Sequence, residues 1–287
     1  MPYLALVSLI WAFSFGLIGS ALKGVDPFFV ATARLACALL VFLPLLRLTR
    51  LSRPDSLRLV FYGAIQFGLM YVAYIKAFQY LPSHLVALFS VLTPVYVVLI
   101  HDLRRRVFTP RYLGAAVLSV AGAAIIQAKG LPGEPLWTGF ALMQVAGLAF
   151  AFGQVAYRDW KRSRPDVRDR EAFALLYLGG ALFALVFCLT LTDWSALPLR
   201  PAQWGALAYL GIVASGLGFF LWNLGAARSS PGVLAAFNNA VVPLAVVFSL
   251  FIFGEIGDSD AESLLRLALG ALCIAAAVWI GRRTAEG

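Results

Sequence analysis

The sequence predicts an all-α integral membrane protein of ten transmembrane helices, arranged as two inverted five-helix halves. Three observations lead there: the composition, the spacing of the apolar runs, and the placement of basic residues between them. Of 287 residues, 61% are hydrophobic and 13% charged, against roughly 45–50% and about 25% in soluble domains. Two soluble domains of this total length would lack the polar surface they need. The charges are crowded into short gaps between long apolar stretches, which is how a bilayer distributes them.

A spanning helix needs about 20 mostly apolar residues, because the hydrocarbon core is about 30 Å thick and each residue rises about 1.5 Å. Runs of that kind cover 3–22, 27–47, 57–79, 83–102, 110–128, 136–157, 171–192, 202–226, 232–253 and 264–281. Backbone groups in lipid must be satisfied within the segment, so these read as helices. A membrane barrel would instead alternate over roughly ten-residue strands. The first run is under way by Tyr3, with no basic stretch ahead of it and no cleavage site before Lys23, so it reads as a retained span. The tight breaks at Leu81-Pro82-Ser83 and Ser229-Ser230-Pro231 separate neighbouring runs.

Basic residues select an orientation. The gaps after runs 2, 4, 6 and 8 and the tail after run 10 hold 17 Lys and Arg, in clusters such as Arg47–Arg58, Arg104–Arg111 and Arg158–Arg170. The alternate gaps hold four: Lys23, Lys129, Arg200 and Arg266. That places both termini in the cytoplasm. Trp137, Trp160, Trp194, Trp204 and Trp279 fall near run ends, where aromatic belts belong. The net charge of +9 therefore marks membrane topology, not a nucleic-acid face. Cys37, Cys188 and Cys273 lie inside apolar runs and make no metal or redox pattern. No cofactor or metal motif is present.

The halves, 1–128 and 129–287, resemble one another. Ala12-Phe13-Ser14-Phe15-Gly16 in run 1 matches Ala149-Phe150-Ala151-Phe152-Gly153 in run 6, and the twelve-residue spacing of Pro82 and Pro94 recurs at Pro231 and Pro243. Five spans per half is an odd number, so the second half is inverted, a pattern of secondary transporters whose site lies near the midplane. Trp11 through Phe15, Arg34, the stretch Ala77 to Pro94 and its partner Ala226 to Pro243, followed by Gly254-Glu255, together resemble the EamA-type repeat of the drug/metabolite transporter superfamily. The chain looks most like the YddG-like exporters of aromatic and other neutral amino acids. That resemblance implies a bacterial inner-membrane exporter working by alternating access. One departure is plain: after run 4 stands Asp102-Leu103-Arg104-Arg105-Arg106 where the first repeat often carries Gly-Glu.

Acidic residues stand only in loops or at helix ends, Asp102 and Glu255 coming closest to a span interior, which argues against carboxylate-based ion coupling and for a gradient-driven carrier. Arg34, about 10 Å inside run 2, is made structural by the resemblance. Lys76, which is also within snorkelling reach of a turn, and His84, at that turn, are candidate substrate contacts. Pro94 and Pro243 remove a donor each, freeing the carbonyls of Ser90 and Asn239. Ser90, Thr93, Asn238 and Asn239 flank them and suit a substrate ammonium. The remaining expected wall residues are Trp11, Ser14 and Phe15; Gln66, Tyr71 and Tyr74; Gln144 and Gln154; and Trp222 and Asn223. Aromatics with a few amides fit an amino acid or similar amphipathic solute. A broad drug or metabolite exporter is the alternative within transport, and a membrane scaffold is the alternative outside it. An enzyme would need convergent catalytic groups, and none is present. The oligomeric state is left open.

Overall fold

The computed structural model describes residues 2–81, 86, 89–127, 135–196, 199–248 and 261–282, and among them every regular element is helical. The helices are α1 (Pro2–Ala21), α2 (Pro27–Phe42), α3 (Arg53–Ala77), α4 (Thr93–Arg105, entered through a 3₁₀ turn at Ser90–Leu92), α5 (Pro110–Gln127), α6 (Pro135–Ser163), α7 (Asp169–Leu191), α8 (Pro201–Ala227), α9 (Pro231–Phe248) and α10 (Ala261–Arg282). Six of them, α1, α2, α3, α6, α7 and α8, are long and apolar enough to cross a bilayer. The expected feature residues Pro82, His84, Lys129, Gly254 and Glu255 lie outside the described residues.

Helix starts follow capping chemistry more than hydropathy. The Asp26 carboxylate accepts the N–H groups of Phe28 (3.0 Å) and Phe29 (2.9 Å), opening α2 with Pro27 at its first position. Ser52 accepts the Asp55 N–H at 3.2 Å and Pro54 follows the cap, so α3 begins four residues before the apolar run 57–79 does. Likewise α6 runs six residues past 157. Its last turns carry Arg158, Asp159, Lys161 and Arg162, which leave the apolar layer without ending the helix.

Two helices are locally widened. In α3 the stretch Ala64–Leu69, and in α8 the stretch Leu210–Leu217, adopt π-helical bonding. Both stretches hold or adjoin glycines that bring backbones together. A methyl group added at Gly63 would lie 1.9 Å from the Leu176 carbonyl oxygen of α7, and one at Gly179 would lie 1.9 Å from that of Val60. Small residues let α3 and α7 meet backbone to backbone, as membrane helices do when dispersion and not hydrophobic exclusion joins them. Gly179→Ala is expected to cost about 1–3 kcal/mol by overpacking, read as a lower unfolding temperature in detergent. An unchanged temperature would mean the helices separate freely there.

The largest core gathers Phe42, Phe67, Phe173, Tyr177 and Phe219 from α2, α3, α7 and α8. The start of α1 and the end of α10 share one end of the bundle. There Tyr3 lies under the Arg228 guanidinium at 5.7 Å, and Val278 packs on Ala236 near the start of α9. This terminal end is also cross-tied by ion pairs. Asp159 of α6 meets Arg104 (3.1 Å) and Arg105 (3.0 Å) of α4. Asp55 of α3 accepts from Arg164 and from the Trp160 indole at 3.1 Å.

Candidate substrate-binding site

A cavity with about 750 Å³ of empty space lies among α1, α2, α3, α4, α6, α8 and α9. Toward the terminal end the bundle is filled solid by Leu4, Val7, Val97, Val155, Trp222 and Leu234. The cavity therefore belongs to the opposite half of the bundle.

Of the side chains expected at the wall, Trp11, Ser14, Phe15, Tyr71, Tyr74, Ser90, Thr93 and Asn238 line it. Trp11 forms an aromatic floor with Trp222 (4.7 Å), Phe219 (5.0 Å) and Phe150 (5.7 Å). Phe15 and Tyr74 meet edge to face at 5.9 Å. The Ser14 hydroxyl donates back to the Ile10 carbonyl at 2.7 Å, which leaves its oxygen available as an acceptor.

Gln66, Gln144, Gln154 and Asn223 do not line the cavity and are tied to neighbouring side chains. Gln66, in the π stretch of α3, donates to the Asn223 amide oxygen at 3.1 Å. Gln154 and Asn238 exchange amide bonds at 3.3 Å in each direction. Gln144 accepts the Tyr96 hydroxyl at 2.7 Å. Lys76, expected as a substrate contact, does not line the cavity and lies near the rings of Phe28 (5.4 Å) and Tyr80 (6.0 Å). Pro94 and Pro243 do not line it either. Next to Pro94 the freed backbone is already used. The Ser90 carbonyl accepts the Thr93 N–H in the 3₁₀ turn, and the Val91 carbonyl accepts Asn239 Nδ2 at 3.1 Å. A second bond from Asn239 reaches Ser119 at 3.3 Å. The expectation that this backbone greets a substrate ammonium gives way to a brace between α4, α5 and α9.

The feature that sequence reasoning undervalued is Arg34. It lines the cavity, is only 3% exposed, and is the one charged group in the lining among the described residues. Its Nε donates to Ser215 Oγ at 3.2 Å, and its guanidinium carbon stands 4.6 Å from the centre of the Tyr71 ring. Its Nη1 has no hydrogen-bond partner, and no carboxylate pairs with it among the described residues. Ser215 is itself held by Leu210 (2.7 Å) and Tyr71 (2.8 Å), within the π stretch of α8. Tyr177 donates to the carbonyls of Ser215 (2.8 Å) and Gly216 (2.5 Å), and Trp11 to that of Ala214 (3.0 Å). Widening the helix offers these carbonyls sideways, so the π stretch becomes the anchor on which Arg34 is aimed. The sequence did carry a signal, since an ionisable side chain within a span is a site candidate by default.

Bilayer-length helices gathered around a polar-spotted cavity define a multi-pass membrane protein with room for a small solute. The model of the EamA-like transporter family matches residues 1–128 and 135–281. The chain belongs to that family. A "probable biotin transporter" of Pseudomonas aeruginosa is 42% identical over 98% of this chain and 97% of that one. A "biotin transporter" of Escherichia coli K12 is 37% identical over 99% of this chain and 93% of its own. In fold, the chain matches a crystal structure at a TM-score of 0.74 and 19% identity, covering 98% of this chain and 99% of the other.

Proposed function

We propose that the protein carries biotin, or a closely similar small monocarboxylate, by alternating access between two inverted halves of a ten-span bundle. Arg34 is the observation that carries this reading. A buried guanidinium with an unused nitrogen, facing an aromatic cavity without a carboxylate, wants an anion from outside the protein. Biotin offers a carboxylate, an apolar chain and thioether ring, and a ureido head. Arg34, the aromatic floor, and the hydroxyls of Ser14, Ser90 and Thr93 answer those three parts in turn.

Relatives at 42% and 37% identity bear the name of that substrate. The amino-acid reading loses ground for a physical reason: a zwitterion also brings an ammonium, and the carbonyls beside Pro94 that would receive it are engaged. An organic cation would be repelled by Arg34. With no carboxylate in the lining among the described residues, we expect a carrier driven by the substrate gradient.

Support for the inverted halves comes from matching features. The third helix of each half holds a π stretch, at Ala64–Leu69 and Leu210–Leu217. The first packs on α7 through Gly63, and the second approaches Cys37 of α2 through Gly211. The 17-to-4 division of basic residues supports cytoplasmic termini in a bacterial inner membrane, with the terminal end closed in this conformation.

Purified protein in liposomes preloaded with biotin should exchange it for labelled external biotin, and aromatic amino acids in tenfold excess should leave the rate unchanged. Exchange of labelled phenylalanine without exchange of biotin would overturn the substrate.

A further inference from the structure

At the terminal end, the turn between α6 and α7 and the last turns of α8 enclose an open cleft of about 1000 Å³. Its wall carries Lys161, Arg162, Arg168, Arg170 and Arg228 against a single carboxylate, Asp169. That carboxylate is occupied, by the Tyr157 hydroxyl at 2.5 Å and by Lys161 at 3.8 Å. Among the described residues the four arginines make no ion pair. The cleft floor is of the opposite character, formed by buried Val167 and half-buried Phe220, Leu224 and Ala227. The last three recur at spacings of four and three, so they form one stripe of α8 running about 10 Å from Arg228 toward the bilayer centre.

Like charges held together on a folded protein repel, and an unpaired set of them beside an apolar stripe asks for a ligand with both an anionic and an apolar part. We propose that the cleft holds an anionic glycerophospholipid, its phosphate on Arg168, Arg170 and Arg228 and one acyl chain along Phe220, Leu224 and Ala227. A soluble phosphate would share the arginines but gain nothing from a stripe that descends into the apolar layer, so the lipid is the occupant the cleft fits. Each basic residue close to an anionic membrane surface strengthens attachment roughly fivefold, and three acting on one headgroup suffice to retain it through purification.

The test reads binding and not transport, so it stands apart from the substrate assignment. Protein solubilised from vesicles of phosphatidylglycerol and phosphatidylcholine, mixed equally, is examined by native mass spectrometry. One phosphatidylglycerol per chain should be retained, at least tenfold over phosphatidylcholine. The variant R168Q/R170Q/R228Q should lose that preference tenfold or more. A control, R47Q/R50Q/R53Q, removes three exposed arginines from the same end but outside the cleft, and should keep it. If the triple variant does not fold, Arg170→Gln alone should reduce retention severalfold. Equal loss in the control would reduce the effect to diffuse surface charge and overturn the site. Displacement of the lipid by inorganic pyrophosphate at matched concentration, or no preference in the unaltered protein, would overturn it as well.

Discussion

Replacing Arg34 with methionine lowers biotin exchange by about 100-fold, and the loss appears in KM more than in the amount of folded protein. Methionine keeps much of the length and apolar stem of the arginine while removing its charge. Truncating one member of a buried, hydrogen-bonded charge pair costs about 2–5 kcal/mol, and each 1.4 kcal/mol is tenfold. Stability moves the other way or not at all. The guanidinium has an unpartnered nitrogen and no counter-ion among the described residues, and exchanging an uncompensated buried charge for an apolar side chain is neutral or stabilising. Arg34→Lys keeps the charge but loses the planar fork and the aim set by Ser215 at 3.2 Å, so its rate falls between the two. A double cycle isolates the contact. The methyl ester of biotin should be a poor substrate for the unaltered protein and no worse for Arg34→Met. Independent, additive losses for the ester and the variant would separate Arg34 from the carboxylate.

Six of the ten expected spans were legible as bilayer-length helices, because a bilayer imposes a length and hydropathy reports it directly. What hydropathy does not report is where helical hydrogen bonding starts and stops. α3 is set by the Ser52 cap and α6 runs on through Arg158, Asp159 and Lys161, so both helices extend beyond the apolar layer. The π stretches were invisible too, since an extra residue in a turn changes no composition. At the site, side-chain type separated wall from scaffold only in part. Trp11, Tyr71 and Tyr74 line the cavity because large aromatics at mid-span have few other places to go. Gln66 and Asn223 are chemically just as suited, yet they are joined to each other at 3.1 Å outside the cavity lining. Sequence lists donors and acceptors without saying which are already paired across helices. Arg34 failed for the converse reason, because its lack of a partner is a property of the fold alone.

Trp11→Ala is the second large effect, and it strikes the fold and the site together. The indole fills the space between Trp222, Phe219 and Phe150, with centroids at 4.7, 5.0 and 5.7 Å. Emptying such a position typically costs about 3–5 kcal/mol. It also removes the bond from Trp11 Nε1 to the Ala214 carbonyl at 3.0 Å, a further loss of about 0.5–1.5 kcal/mol. Expression should fall sharply and exchange should vanish. Trp11→Phe separates the two roles, since it retains most of the ring volume and removes only the N–H. Ala214 is the neighbour of Ser215, and Ser215 orients both Arg34 and Tyr71. Loosening the π stretch at Ala214 should therefore reach the substrate through Arg34, raising KM severalfold while the unfolding temperature changes little. A Trp11→Phe protein with an unaltered KM would show that the floor of the cavity and the aim of its cation are independent, and that the π stretch of α8 only accommodates packing.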